Sequence, residues 1–177
     1  NAKDRLILRL FSQRGAYKIP ISLVENTDGV LEISFSRFKD IPAIVLLKAL
    51  GITNDAEIAK LIGKQTDLLI VNLYEYADIS DVNEALMWIA EKANLQGTTK
   101  EMLDRVNQWI DSYFLPHIGL TKRDRKEKAR TLCKLVKQFC IAKENPGVAM
   151  TDKDHYANKR VRLSGDLLSD LFRVNMN

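Results

Sequence analysis

The sequence predicts an α+β fold: a small antiparallel sheet from the N-terminal portion, packed against a mostly helical body. Three observations carry this. Apolar and polar residues alternate as far as Phe35, the period of a strand with one buried face. After Arg37 the apolar spacing lengthens to that of helices, punctuated by Asn, Thr and Gly at capping positions. The chain has 177 residues, 46% apolar and 28% charged, which is enough for a sizeable core and excludes a disordered chain.

Residues 5–11, RLILRLF, predict a first strand, and Gly15 a turn after it. In the next strand Tyr17, Ile19, Ile21 and Leu23 alternate with Lys18, Pro20 and Ser22. Pro20 has no N–H to give a ladder, which puts that strand at an edge or beside a bulge. Glu25-Asn26-Thr27-Asp28-Gly29 reads as a turn into a third strand over residues 30–35, with Leu31, Ile33 and Phe35 on one face.

Asp40 is the expected cap of a first helix that has Pro42 in its first turn, carries Ile44, Leu47 and Leu50, and stops at Gly51. Asn54 and Glu57 open a second helix that stops at Gly63. Residues 67–76, DLLIVNLYEY, fit a buried strand or a buried helix by pattern alone. Ser80 is the expected cap of a helix bearing Val82, Leu86, Ile89 and Ala93, on which Trp88 reads as core or interface. Thr98 and Glu101 form a capping box ahead of Met102, Val106, Trp109, Ile110 and Tyr113, and Pro116 ends that helix. Thr121 and Asp124 start a last long helix over about residues 122–143. After the turn Glu144-Asn145-Pro146-Gly147 comes a polar stretch, then Ser164 as cap, Asp166 in the first turn, and a stripe of Leu167, Leu168, Leu171 and Phe172.

No apolar run approaches the roughly 18 residues of a membrane span. The opening NAKDRLILRL lacks both a signal-peptide layout and an initiating Met, which reads as an internal fragment. Cys133 and Cys140, seven residues apart on one helix, stand about 10 Å apart along its axis and cannot pair with each other. They read as buried small hydrophobes in a reducing setting. Charge is uneven. Residues 1–98 hold 11 cations against 13 acids, and residues 99–177 hold 16 against 10. The basic surplus is a property of the C-terminal half, suited to a phosphate-rich partner or to a solvated face.

Two constellations stand out. Lys122, Arg123, Arg125, Lys126, Lys128 and Arg130 crowd the first turns of the last helix, opposed there by Asp124 and Glu127. Cations at a helix N-terminus oppose the macrodipole, so their concentration asks for an explanation from outside the helix, such as a phosphate backbone or an acidic protein. The second is the stretch DKDHYANKRVRLSGDLL, residues 152–168. There Asp152, Asp154, Lys159, Arg160 and Arg162 can form a crossed network of charge-assisted hydrogen bonds, or the cations can hold phosphate. Asp152, Asp154 and His155 offer oxygen ligands and a base for a metal-dependent nuclease, but the neighbouring cations satisfy those carboxylates without a metal. His117 reads as a hydrogen-bonded structural histidine. The sequence has no nucleophile elbow, phosphate-binding glycine loop or paired Cys-x-x-Cys, so no catalytic or metal residue is assigned.

The spacing Asp-x-Asp-His-x-x-Asn-Lys-Arg-Val-Arg-x-x-Gly-Asp-Leu, which includes Asn158, resembles the second-largest subunit of multisubunit DNA-directed RNA polymerases, where its lobe passes into its fork. The order of residues is most similar to the archaeal and eukaryotic versions, with Ala157 where many relatives carry Gly and Ser164 where many carry Ala. KDIPAIVLLKALGI (residues 39–52) and FLPHIG (residues 114–119) resemble the same lobe. The resemblance implies a helix over residues 67–76, a lobe domain over residues 1–150 and a connection into the fork over residues 151–177. It implies a non-catalytic module of a nucleotidyltransferase that walls the cleft near downstream DNA and binds general initiation factors and other polymerase subunits. Catalytic magnesium would lie elsewhere in the complete polymerase, chiefly on aspartates of the largest subunit. The expected setting is the nucleoid-associated cytoplasm of a prokaryotic cell. Two other classes stay open on the residues alone: a free-standing DNA-binding adaptor and the metal-dependent nuclease.

Overall fold

The computed structural model describes residues 6–14, 17–64, 66–114 and 123–144 and the strand Arg160–Val161; at 12–14, 17, 123, 124, 160 and 161 the description is of the backbone alone. The turn at Gly15, Pro116, His117, the Thr121 cap, and the rest of the polar stretch and its following helix lie outside these residues.

The predicted alternation becomes a meander of β1 (Ile7–Arg14), β2 (Tyr17–Glu25) and β3 (Leu31–Phe35), extended by β4 (Phe38–Pro42). All three pairings are antiparallel. A short fifth strand, β5 (Arg160–Val161), runs parallel to β1 opposite Ile7 and Leu8, giving the order β4-β3-β2-β1-β5. The register lines up two buried rows across four strands: Leu8, Leu23, Ile33 and Ile41, and beside it Leu10, Ile21, Phe35 and Phe38. A side-chain period of two makes this register self-enforcing, since a slip of one residue would turn both rows to solvent.

Pro20 sits in an internal strand, yet meets the expectation for proline locally. It faces Phe11 of β1, while the pairing of β2 with β3 begins only at Ile21. Glu25 to Val30 forms the expected turn: Asn26 Oδ1 accepts from the amides of Asp28 and Val30, and Gly29 takes φ 83°.

Asp40 departs from expectation. It does not cap a helix; it lies in β4 with φ 56°, its amide donating to Ser34 Oγ. Phe35 pairs with Phe38 and Ile33 with Ile41, so β4 carries one extra residue there, a bulge. Asp tolerates the left-handed conformation that a bulge needs. The helix starts later, after Pro42, with no side-chain cap.

That helix, α1 (Ala43–Ala49), is buried along its whole length, apolar on every side except at Lys48. It packs on β3 and β4 and is covered in turn by α4 (Val82–Lys92) and α6 (Arg123–Glu144). α2 (Asp55–Ile62) has the expected Asn54 cap and ends on left-handed Gly63; it packs on α6. Residues 67–76 resolve as helix, α3 (Asp67–Glu75), capped by Thr66. For α4 the cap is Asp81 rather than Ser80, which instead bonds Glu84 Oε1 through both its amide and its hydroxyl. The capping box of Thr98 and Glu101 opens α5 (Thr99–Tyr113) as expected, although Tyr113 at the end of its stripe is exposed. Phe114, just after α5, stacks on Phe35, and Trp109 on Phe38, so α5 closes the β3–β4 end of the core.

Candidate nucleic-acid interface

The 22 residues of α6 divide cleanly by period. Ala129, Leu132, Cys133, Val136, Phe139 and Cys140 are buried, facing α1, α2 and the sheet. Lys126, Arg130, Lys134 and Lys137 are exposed. Their spacing of four, four and three residues keeps them within an arc of about 80° and runs them over about 16 Å of helix. None of the four has an ion-pair partner among the described residues. Arg123 is described by its backbone alone, as the first residue of α6, and Lys122 lies outside the described residues.

Two of the predicted basic residues are engaged inward. Lys128 is buried, and its Nζ donates to the carbonyls of Ile110 (3.1 Å) and Asp111 (3.4 Å). Arg125 is partly covered: Nε meets Asp111 Oδ1 at 2.8 Å, and a terminal nitrogen reaches the carbonyl and side-chain oxygens of Asn107. The Ile110 and Asp111 carbonyls belong to the last turn of α5, where acceptors run out of helical partners and the dipole is negative; Ile110 also accepts from the Phe114 amide. The cost of cations at the start of α6 is thus met by the C-terminal end of α5. Lys128 is removed from any exposed patch, and Lys134 and Lys137, beyond the crowded first turns, join the stripe. Extending the stripe from Lys126 and Arg130 by a step of four and then one of three reaches them.

Other buried polar groups serve the frame. Lys48 is fully buried in α1; its Nζ donates to the carbonyls of Tyr76 (2.6 Å) and Ile79 (2.7 Å) and stands 3.0 Å from Asp55 Oδ1, an ion pair too bent to count as a hydrogen bond. Asn72 accepts from the amide of Leu31 and donates to the carbonyls of Gly29 and Leu68, tying α3 to the β2–β3 turn. Lys48 was legible only as the one charge in AIVLLKA, and Asn72 not at all.

The titrating groups do not point to catalysis. Burial pushes the Cys133 thiol up to about 12 and raises Cys140 as well, so neither supplies a thiolate near neutral pH. Hydrogen bonds from Thr98 lower Glu101, and bonds from Ser80 lower Glu84, both at helix caps. Among the described residues no three His, Cys, Asp or Glu side chains gather as a metal site. No described helix is long and apolar enough to cross a membrane. Of the second constellation, Arg160 is placed by its backbone in β5, at the sheet edge beside Ile7; Asp152, Asp154, His155, Asn158, Lys159 and Arg162 lie outside the described residues. A second basic spot surrounds Trp109, with the Arg37 and Arg105 guanidinium carbons 5.9 and 5.5 Å from its ring centroid.

The family model described as RNA polymerase Rpb2, domain 2, matches residues 12–162. The chain is 33% identical over 173 residues to the DNA-directed RNA polymerase subunit Rpo2 of Saccharolobus solfataricus, covering 94% of this chain and 15% of that protein. It is 35% identical over 180 residues to subunit Rpo2N of Halobacterium salinarum, covering 97% of this chain and 34% of that protein. To Rpo2N of Methanococcus vannielii it is 34% identical over 179 residues, covering 97% of this chain and 36% of that protein. It therefore spans between about a seventh and about a third of these relatives. An α+β body matched over most of its length, this chain belongs to the Rpb2 domain 2 family of RNA polymerase second-largest subunits.

Proposed function

We propose that this chain is the non-catalytic lobe of the second-largest subunit of a DNA-directed RNA polymerase, walling the DNA cleft near downstream DNA and offering a docking surface to general initiation factors. Other polymerase subunits are its permanent partners, and catalytic magnesium is held elsewhere in the complete enzyme. Residues 1–150 form the lobe and residues 151–177 lead toward the fork. The observation that carries the DNA contact is the stripe of Lys126, Arg130, Lys134 and Lys137, exposed and without internal acid partners among the described residues. A straight row of cations on a rigid helix can follow a phosphate backbone, supplying affinity without sequence preference. In the polar stretch, Lys159, Arg160 and Arg162 brace the passage to the fork through Asp152 and Asp154, a role supported by the interleaving of acids that a pure phosphate patch would not need.

The test is made in the complete polymerase, with Arg130, Lys134 and Lys137 each changed to Gln. Retention of downstream duplex is followed as salt rises. Each lost phosphate contact lowers the slope of log affinity against log salt by about 0.9. A slope identical to that of the unaltered enzyme would remove α6 from the DNA interface.

A further inference from the structure

Helix α3 leaves an apolar face uncovered. Leu69 and Asn72 point inward and are buried, while Ile70, Val71 and Tyr74 are 55%, 46% and 84% exposed on the other side. A helix that met only water would carry polar residues there. The face continues toward the β2–β3 turn, since Val71 Cγ1 stands 3.9 Å from the place a Cβ on Gly29 would occupy.

Along the segment that carries this face the charge has one sign, and at its Gly29 end the nearby Lys143 is paired with Glu25. Between Lys64 and Lys92 the chain carries no Lys or Arg, but it carries Asp67, Glu75, Asp78, Asp81, Glu84 and Glu91, all exposed. Three of these have local work. Asp67 sits in the first turn of α3, Asp81 caps α4, and Glu84 is bonded by Ser80. Glu75 does not: it closes α3 at the end where the dipole is already negative, in a last turn that holds no basic residue, and Asp78 follows in the same region.

We propose that α3 is a docking face for a basic, apolar-anchored segment of a separate polypeptide, which places aliphatic or aromatic side chains over Ile70, Val71 and Tyr74 and Lys or Arg toward Glu75 and Asp78. Charge decides the occupant. Nucleic acid and anionic lipid are repelled by this surface, and a second copy would set the same acids against each other. An apolar centre with a rim of one sign matches the anatomy of a protein interface, in which apolar anchors hold and rim charges select. The inference deepens the factor-docking part of the proposed function and rests on the chain working inside a larger assembly. It is independent of the phosphate stripe on α6.

The experiment uses the full-length subunit assembled in its polymerase, with a photo-crosslinking benzophenone amino acid in place of Tyr74 and, in a second preparation, in place of Lys126. Tyr74 is so exposed that its replacement leaves the core untouched, which an unchanged melting temperature checks. The expected product at position 74 is a cross-link to a Lys- or Arg-rich apolar segment of another polypeptide. Glu75→Lys with Asp78→Lys then weakens that association roughly tenfold at low salt, and Ile70→Asp weakens it at any salt. A cross-link to another region of the same subunit, to a second copy or to an acidic segment overturns the proposal, as does no product at position 74. The DNA reading fails separately, when position 126 gives no cross-link to nucleic acid.

Discussion

The inner and outer cations of α6 share a helix, a charge and a stretch of sequence, yet they do opposite things. Arg125 and Lys128 turn toward α5 and supply donors to carbonyls and to Asp111. Lys126, Arg130, Lys134 and Lys137 turn to solvent. The difference teaches that a charge run is two objects once it is wound at 3.6 residues per turn, one structural and one available for binding. The inward set belongs with Lys48, which answers the carbonyls of Tyr76 and Ile79 in the turn that follows α3 as Lys128 answers those at the end of α5. If this division is real, inward substitutions cost stability and outward ones do not.

The largest effect is expected at Lys48. Lys48→Met keeps the volume but strands the Ile79 carbonyl and the inner oxygen of Asp55, while the Tyr76 carbonyl keeps the Ile79 amide; the cost is about 3 kcal/mol. Urea unfolding of the variant measures it, and a loss under 1 kcal/mol would mean that water replaces the ammonium. Lys128→Met is expected to cost about 2–3 kcal/mol by freeing the last turn of α5, where Asp111 and its neighbours would exchange their amide hydrogens faster than the rest of α5. Asn72→Leu, at similar volume, leaves the Leu31 amide and the Gly29 carbonyl without their partner and costs about 2 kcal/mol.

Much of this frame was legible. The capping box at Thr98, the Asn54 cap and Gly63 stop, and the alternation of Leu31, Ile33 and Phe35 are local signals, and local physics produces them. What escaped depended on partners distant in sequence. Asp40 looked like a cap because its neighbours look helical, but β3 claims residues 38–42 as a fourth strand and needs the extra residue as a bulge. Ser80 and Asp81 are both good caps, and only the acceptor geometry at Glu84 separates them. Lys48 and Asn72 bond groups 28 to 43 residues away, a pairing that no periodicity announces. Arg125 and Lys128 were visible as charges, but their inward turn depends on where α5 ends.

The inner face of α6 gives a smaller, pH-dependent effect. Cys133 is raised from 9.0 to about 12 by burial, with Glu57 adding to the shift. In the unfolded chain the thiol ionises first, so between these values the unfolded state binds fewer protons and stability falls as pH rises. The slope is about 1.4 kcal/mol per pH unit, and below the unfolded value the contribution is flat. Cys133→Ala should remove that slope; comparing urea midpoints at pH 8 and pH 10 in both proteins checks it. Equal slopes would show that the thiol is hydrated.

The outer stripe is expected to change stability least, and for that reason it is the sharpest test of the comparison. Arg130→Gln, Lys134→Gln and Lys137→Gln together remove three solvated charges that touch no acid among the described residues, so the melting curve should move by no more than about 0.5 kcal/mol. Relief of repulsion between neighbours one turn apart works toward slight stabilisation. A short DNA duplex titrated against the same protein should bind more weakly, with a shallower salt dependence. A fall in stability comparable to that of Lys128→Met would mean that these side chains have structural partners, and the helix would then have no free face to offer a phosphate backbone. Stability held while salt-dependent affinity drops is the one combination that separates a binding stripe from a brace, because a brace cannot be cut without loosening what it holds.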